Sequence, residues 1–396
     1  MTTSDAVRDR QAAEANAHFF AWLEKMRRED PVSYNEQSFQ WSVFRHEDVT
    51  HIMANTDVFV NDMSDITPPQ EDYDVFFKGN IAAMDEPRHR KFRMLVSKAF
   101  SARYIAGLEP KLVRIATGLL DAVGDKEHFD IAADFAFPFP VAVIADILGA
   151  PHEDAHLFAE WANLLHASNT GVEGHRATAM RLKSLNSYMF EQIRRRRAEP
   201  RDDLITTLVQ AEMDGRRLED EEIVGFAGVL LMGGITTTAA LISNIVLTFD
   251  RFPELYTEVR ADRSLVPQAI EEVVRIRPSF SNFVRMTAED VELGGQIIPA
   301  GELVHVWISS ANRDTSAFQD PDRFDIHREN NRHVGFGQGI HYCIGAPLAR
   351  LESRIAFNLL LDRYRSIQVV PDADIEFLDT SDMIGASRLP VVITRD

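Results

Sequence analysis

The sequence predicts a mainly helical domain with small β-sheets, spanning residues 1–396, and three observations carry that expectation. From Ile223 to Phe249 the chain reads IVGFAGVLLMGGITTTAALISNIVLTF, without a charge, as a helix does when it is surrounded on every side. Elsewhere helical apolar spacing prevails, and strand-like patterns are confined to three short regions. No internal repeat, low-complexity linker or shift in composition cuts the chain in two.

The elements follow in order. Residues 32–44, VSYNEQSFQWSVF, read as a hairpin. Residues 61–80, NDMSDITPPQEDYDVFFKGN, combine turn formers, acids and a Phe pair, and are expected to form a long loop, either over a binding pocket or plainly on the surface. From Arg88 to Arg103 there are six Lys or Arg residues and no acid. A helix from Glu219 to Asp250 would be roughly 48 Å long at a rise of 1.5 Å per residue. It exceeds the roughly 20 apolar residues that cross a bilayer. Its threonines, Ser243 and Asn244, the acidic flank LEDEE and the lack of interfacial Trp or Tyr favour an interior helix over a membrane span. Residues 291–310, VELGGQIIPAGELVHVWISS, read as two strands, and LPVVIT (389–394) as a late one.

Composition sets the class. With 45% hydrophobic residues there is material for a large core, and a formal charge of −19 favours solubility and argues against nucleic acid or an anionic membrane as partner. The first twenty residues, MTTSDAVRDRQAAEANAHFF, lack a basic segment followed by an apolar core, so no secretory signal or anchor is expected there. A single cysteine excludes an intrachain disulfide and paired-cysteine zinc sites, and fits the cytoplasm.

That cysteine is Cys343, within FGQGIHYCIGAPLAR (336–350). The following IGAPLARLESRIAFNLLLDRY has helical spacing, with Pro347 tolerated near the start, which places Cys343 just before a helix N-terminus. Unpaired N–H groups and the positive dipole end lower a thiol's pKa there, and Gly337, Gly339 and Gly345 are expected to let backbone approach the sulfur. A lone cysteine is otherwise a small buried hydrophobe. As a thiolate it serves as a nucleophile, for which 13 histidines offer a base, or as a metal ligand.

The surrounding residues resemble the haem-binding signature of cytochrome P450 enzymes, with Phe336, Gly337, His341, Cys343 and Gly345 at the family's spacing. The resemblance covers nearly the whole chain and implies the P450 fold, its long central helix passing over the haem. It implies Cys343 as the axial iron ligand, pushing electron density toward O–O cleavage. The absence of C-x-x-C-H implies haem b held without covalent bonds. Glu272 and Arg275 match the family's E-x-x-R pair, with Arg323 of DPDRF expected to complete the cluster. His89, Arg93, Arg285 and His341 match partners of the two haem propionates, where charge-assisted hydrogen bonds would hold an unattached anionic cofactor.

In the central helix Gly233, Gly234, Thr236, Thr237 and Thr238 align with the family's A/G-G-x-D/E-T-T segment. Two adjacent glycines cost roughly 2 kcal/mol relative to alanine in a helix interior, which points to a backbone needed close to something. Thr237 matches the threonine that supports proton delivery to the reacting oxygen. Thr236 stands where Asp or Glu is usual, and this departure bears on the proton relay. Phe76, Phe77, Ile81, Val229, Gly233, Phe280, Phe283 and Ile384 match regions that line family pockets, and imply a compact, largely apolar organic substrate.

The implied activity is monooxygenation, insertion of one oxygen atom from O2. No fused flavin or iron–sulfur module is visible, so electrons are expected from a ferredoxin and a ferredoxin reductase, with the basic run from Arg88 to Arg103 as the candidate docking face. Competing readings are P450-fold chemistry of another kind (peroxide-driven oxidation, dehydration or nitration), prompted by the missing acid, a haem-thiolate sensor, and a cofactor-free cysteine hydrolase.

Overall fold

A computed structural model describes residues 17–64, 71–165, 172–213, 215–378 and 382–395. The chain forms two compact units, one comprising Asn61–Ile115 and Pro138–Thr236, the other Met1–Val60, Ala116–Phe137 and Thr237–Asp396.

The first of these is built from helices, among them α1 (Glu71–Gly79), α2 (Arg88–Ala99), α3 (Val172–Ala198) and the N-terminal part of α4 (Asp220–Arg251). The expected loop over 61–80 is corrected here: residues 65–70 lie outside the described residues, but residues 71–79 are helical. Asp72 and Asp74 stand toward the N-terminal end of α1 and Lys78 in its last turn, as the helix dipole favours. Its decisive support is tertiary. A Cβ at Gly79 would stand 2.1 Å from the Glu222 carbonyl oxygen, and one at Gly225 would stand 2.5 Å from both Gly79 N and Phe76 O. The backbones of α1 and α4 therefore touch, which only glycine at the crossing allows. Phe76 is buried against Gly228, and Lys78 Nζ pairs with Glu221 at 2.5 Å.

Helix α4 matches its expected bounds to within a residue. Of its most apolar eighteen-residue window 72% is buried within the protein, in keeping with an interior helix. Ile223, Phe226, Leu231 and Ile235 are all fully covered.

The second unit carries the larger sheets, the first only a two-stranded one (Glu212–Met213 with Arg216–Arg217). Strands β1 (Val32–Asn35), β2 (Gln40–Val43), β3 (Phe59–Val60), β5 (Phe283–Thr287) and β6 (Leu303–Val306) form a five-stranded sheet in the order β1-β2-β6-β5-β3. The β1–β2 pairing is the expected hairpin, with Val32 opposite Val43. Residues 291–310 hold three strands where two were expected. Val291–Leu293 and Gln296–Ile298 form their own hairpin through Gly294 and Gly295, whose φ of 58° and 79° glycine adopts freely. The third, β6, joins the main sheet and buries Val304 and Val306 while His305 points to the other face. The late strand β8 (Pro390–Thr394) lies between β7 (Ser366–Val369) and β4 (His128–Asp130).

Two helices of this unit, α5 (Val266–Ile276) and α6 (Ala346–Arg363), carry the remaining motifs. Glu272 and Arg275 are wholly buried and joined by two hydrogen bonds of 2.8 Å. Arg323 does not complete this cluster: its side chain is exposed, and it contributes only a carbonyl that accepts from Arg275 at 3.2 Å. The third charge is Arg328, whose Nε donates to both Glu272 oxygens at 3.1 and 3.2 Å. Five residues further on, Arg328 comes off a turn that points its side chain inward, toward the carbonyls of Gln319, Asp320 and Arg323.

Candidate active site

Cys343 lies in a tight turn feeding α6. Its amide donates to Phe336 O at 2.8 Å, its carbonyl accepts from Ala346 N at 3.3 Å, and the helix begins at Ala346 with Pro347 in its first turn. Gly337 and Gly339 have φ of 73° and 68°, so the turn needs glycine at both positions, and a Cβ at Gly339 would press to 3.1 Å from Met53 O. Gly345 differs. Its φ is −82°, and a Cβ there would sit 3.7 Å from Cys343 Sγ, an ordinary contact, so close backbone approach to the sulfur does not depend on it. Cys343 is exposed, Phe336 and His341 are half-buried, and His341 ends a short turn from Gly339.

The same unit gathers other expected site residues. Arg285 lies on β5 opposite Val304, donates to Val284 O at 2.8 Å, and sits 6.0 Å from the Phe283 ring. Phe280 and Phe283 are 5.7 Å apart and half-buried, Phe280 bridges to Met383, and Ile384 is fully buried. A seam of hydrogen bonds ties these loops to α4, and of its members Ser279, Asn244, Ser243 and Ala386 were not read as site residues from the sequence. Ser279 Oγ donates to Thr237 O at 2.8 Å, Ile384 N donates to Ser279 O at 2.9 Å, and Asn244 Nδ2 donates to Ile384 O at 2.8 Å. Ala386 N donates to Ser243 Oγ at 3.2 Å. An uncharged Asn and Ser inside an apolar helix were the only sequence signal for it.

In the other unit, His89 is buried on α2, with Arg93 one turn later. Burial, reinforced by the Arg93 charge, pushes His89 below its ordinary range. The turn before α2 is held by Asp85, which accepts from the amides of Asn61 and Asp62 at 2.8 to 3.0 Å. Ile81 is buried, Val229 half-buried and Phe77 39% exposed. Thr236 is buried, and its hydroxyl has no hydrogen-bond partner among the described residues. The paired glycines answer their expectation unevenly: a Cβ at Gly234 would meet Ile144 at 2.7 Å, whereas one at Gly233 would meet nothing within 4 Å.

Comparison with known proteins decides the family. The family model described as Cytochrome P450 matches residues 152–394. Over 374 residues, 93% of this chain and 94% of the relative, the sequence is 41% identical to cyclomarin C epoxidase CymV of Salinispora arenicola. The chain belongs to the cytochrome P450 family. This P450 is also 38% identical to the erythromycin C-12 hydroxylase of Saccharopolyspora erythraea over 379 residues, covering 94% of this chain and 93% of that enzyme. Its fold matches the ligand-free structure of cytochrome P450 TbtJ1 with a TM-score of 0.88 and 42% identity, over 96% of this chain and 98% of that one. It is an oxidoreductase of the monooxygenase class, and its family works with haem, O2, a small-molecule substrate and a redox partner.

The residues of this P450 fit that cofactor. An exposed sulfur at the head of a helix, reached through a turn bared by two positive-φ glycines, is open to a flat ligand. Among the described residues no three His, Cys, Asp or Glu side chains converge as a metal site.

Proposed function

We propose that this P450 inserts one oxygen atom from O2 into a compact, largely apolar organic molecule in the cytoplasm, taking electrons from a ferredoxin and its reductase. The observation that carries this reading is the Cys343 turn, the chain's one cysteine placed exposed at the head of α6 in the family's signature. Haem b, held without covalent bonds, supplies when bound the iron at which dioxygen is activated. In this reading Cys343 would hold the haem iron through its sulfur, at a position where the N-terminal end of α6 favours a thiolate. Phe336, Gly337 and Gly345 form the cradle around it. His89, Arg93, Arg285 and His341 would bind the two propionates, with charge-assisted hydrogen bonds from the arginines.

Phe77, Ile81, Val229, Gly233, Phe280, Phe283 and Ile384 wall the substrate and exclude water, while Phe76 serves by seating α1 on α4. The Thr237 hydroxyl both donates and accepts, and so passes protons toward the side where oxygen reacts. Thr236 cannot store a proton as a carboxylate does, so the supply comes through water or a substrate group. The names of the relatives, epoxidase and hydroxylase, support oxygen insertion as the reaction class.

The test is turnover with a surrogate ferredoxin and reductase, using compounds first selected by their shift of the haem absorption band. Product should appear with oxygen uptake, and Thr237→Ala should divert reducing equivalents to peroxide. Efficient product formation from peroxide alone would replace this reading with the peroxide-driven one.

A further inference from the structure

The turn before Cys343 is gripped from one side by a single guanidinium. Arg350, in the first turns of α6, donates from Nε to Glu271 Oε1 at 2.7 Å and from Nη2 to Oε2 at 2.8 Å. Its Nη1 donates to the Tyr342 hydroxyl at 2.9 Å, and its guanidinium carbon lies 4.4 Å from the centre of the Phe336 ring. One side chain thereby holds Tyr342, the residue before Cys343, and Phe336, whose carbonyl accepts from the Cys343 amide. The acceptor, Glu271, is fixed in turn. Gly335 N donates to His333 Nδ1 at 3.2 Å, and the ring's Nε2 lies 3.1 Å from Glu271 Oε2, within hydrogen-bond distance. Gly335 itself presses on α5, where a Cβ would meet Val274 Cγ1 at 2.6 Å. The start and end of the turn, α5 and α6 thus converge on one planar cation.

We propose that Arg350 is a positioning residue for the Cys343 sulfur: by clamping Phe336 and Tyr342 against Glu271, it keeps the turn in the conformation in which the sulfur meets iron. The inference rests on the reading of Cys343 as axial ligand and deepens it. Three bonds in fixed directions and a stacked face are properties of a guanidinium that an ammonium does not share, so Arg350→Lys keeps the charge and loses the clamp. Burial alone would raise the Glu271 carboxyl, yet hydrogen bonds from Arg350 and His333 bring it down to about 2, so the clamp's anion is ionised throughout the working range.

The test needs no substrate. Haem-loaded wild type, Arg350→Lys and Tyr342→Phe are reduced with dithionite under carbon monoxide. The thiolate-type band is then followed at one fixed pH and a temperature below unfolding, and amide exchange at Cys343 is measured in parallel by mass spectrometry. In Arg350→Lys both the loss of the band and the exchange should be about ten-fold faster or more, the loss expected for a bidentate charge-assisted contact. Tyr342→Phe, which keeps the stack and the Glu271 pair, should shift both by about two- to five-fold. Arg363→Lys, a control on the same helix whose partner is Asp121, should leave both at the wild-type rate. A wild-type rate of band loss in Arg350→Lys, or faster loss with unchanged Cys343 exchange, overturns the clamp. If Arg350→Lys does not accumulate, Tyr342→Phe decides, and wild-type values for both readouts overturn it. Absence of a thiolate-type band in the wild type itself would instead refute the axial-ligand reading and the clamp with it.

Discussion

Glu272→Ala tests the packing beneath the site with a magnitude that can be worked from the contacts. Glu272 is fully buried and accepts two bonds from Arg275, a forked pair from Arg328, one from Asp325 N at 3.1 Å and one from Asn331 Nδ2 at 3.2 Å. Removing it strands the Arg275 charge, whose side chain is 0% exposed, and that of Arg328, at 9%. Breaking a buried ion pair by deleting one partner costs about 3–5 kcal/mol. The lower end applies, because Arg275 keeps the carbonyls of Asn312, Pro321 and Arg323 at 2.9, 2.6 and 3.2 Å. About 3 kcal/mol is a large share of the 5–15 kcal/mol that holds a typical folded protein. Urea titration followed by circular dichroism should show it. Glu191→Ala, which removes an exposed partner of Arg194 and Arg195, is the control and should cost less than about 1 kcal/mol. If Glu272→Ala costs no more than that control, the buried cluster does not support the fold as reasoned.

Burial pushes Glu352, whose carboxyl oxygens have no partner among the described residues, well above its ordinary value. The folded protein then retains a proton that the unfolded chain releases near pH 4.3, so stability should fall by about 1.4 kcal/mol per pH unit above that point until the folded group ionises. Glu352→Gln should flatten this slope and raise the denaturation midpoint at pH 7, and an unchanged slope would sink the assignment. Gly225→Ala drives a Cβ into the α1 backbone at 2.5 Å and should cost about 1–3 kcal/mol, whereas Gly118→Ala, with nothing within 4 Å, should stabilise by up to about 1 kcal/mol. Equal melting temperatures for the two variants would contradict the glycine crossing. Neutralising Arg90 and Lys91, both exposed on α2, should slow reduction by ferredoxin and flatten its salt dependence while leaving dithionite reduction unchanged. Arg88 is left out of that pair because its guanidinium is engaged with Lys78 O at 2.6 Å.

The parts of this molecule that were legible in sequence are those whose signal is local. The Cys343 turn compresses glycines, a cysteine and a helix start into ten residues, and α4 carries no charge on any face from Ile223 to Phe249. The parts that were not legible depend on contacts between distant residues. Helix α1 read as a loop because its strongest support is Gly225, well over a hundred residues away. Strand β5 escaped notice because FVRMT carries Arg285 at its centre, and pairing with β6 defines it. The choice between Arg323 and Arg328 turned on which side chain the intervening turn directs inward. Ser279 was invisible as a site residue because its role is one hydroxyl on one helix carbonyl.

The identity of the iron ligand is the central claim, and the absorption spectrum of the dithionite-reduced, haem-loaded protein under carbon monoxide tests it most directly. Wild type should show the thiolate-type band. Cys343→Ala should lack it entirely, since the chain contains no second cysteine to take its place. A thiolate-type band that survives in Cys343→Ala, or that is missing from the folded wild type, contradicts the account.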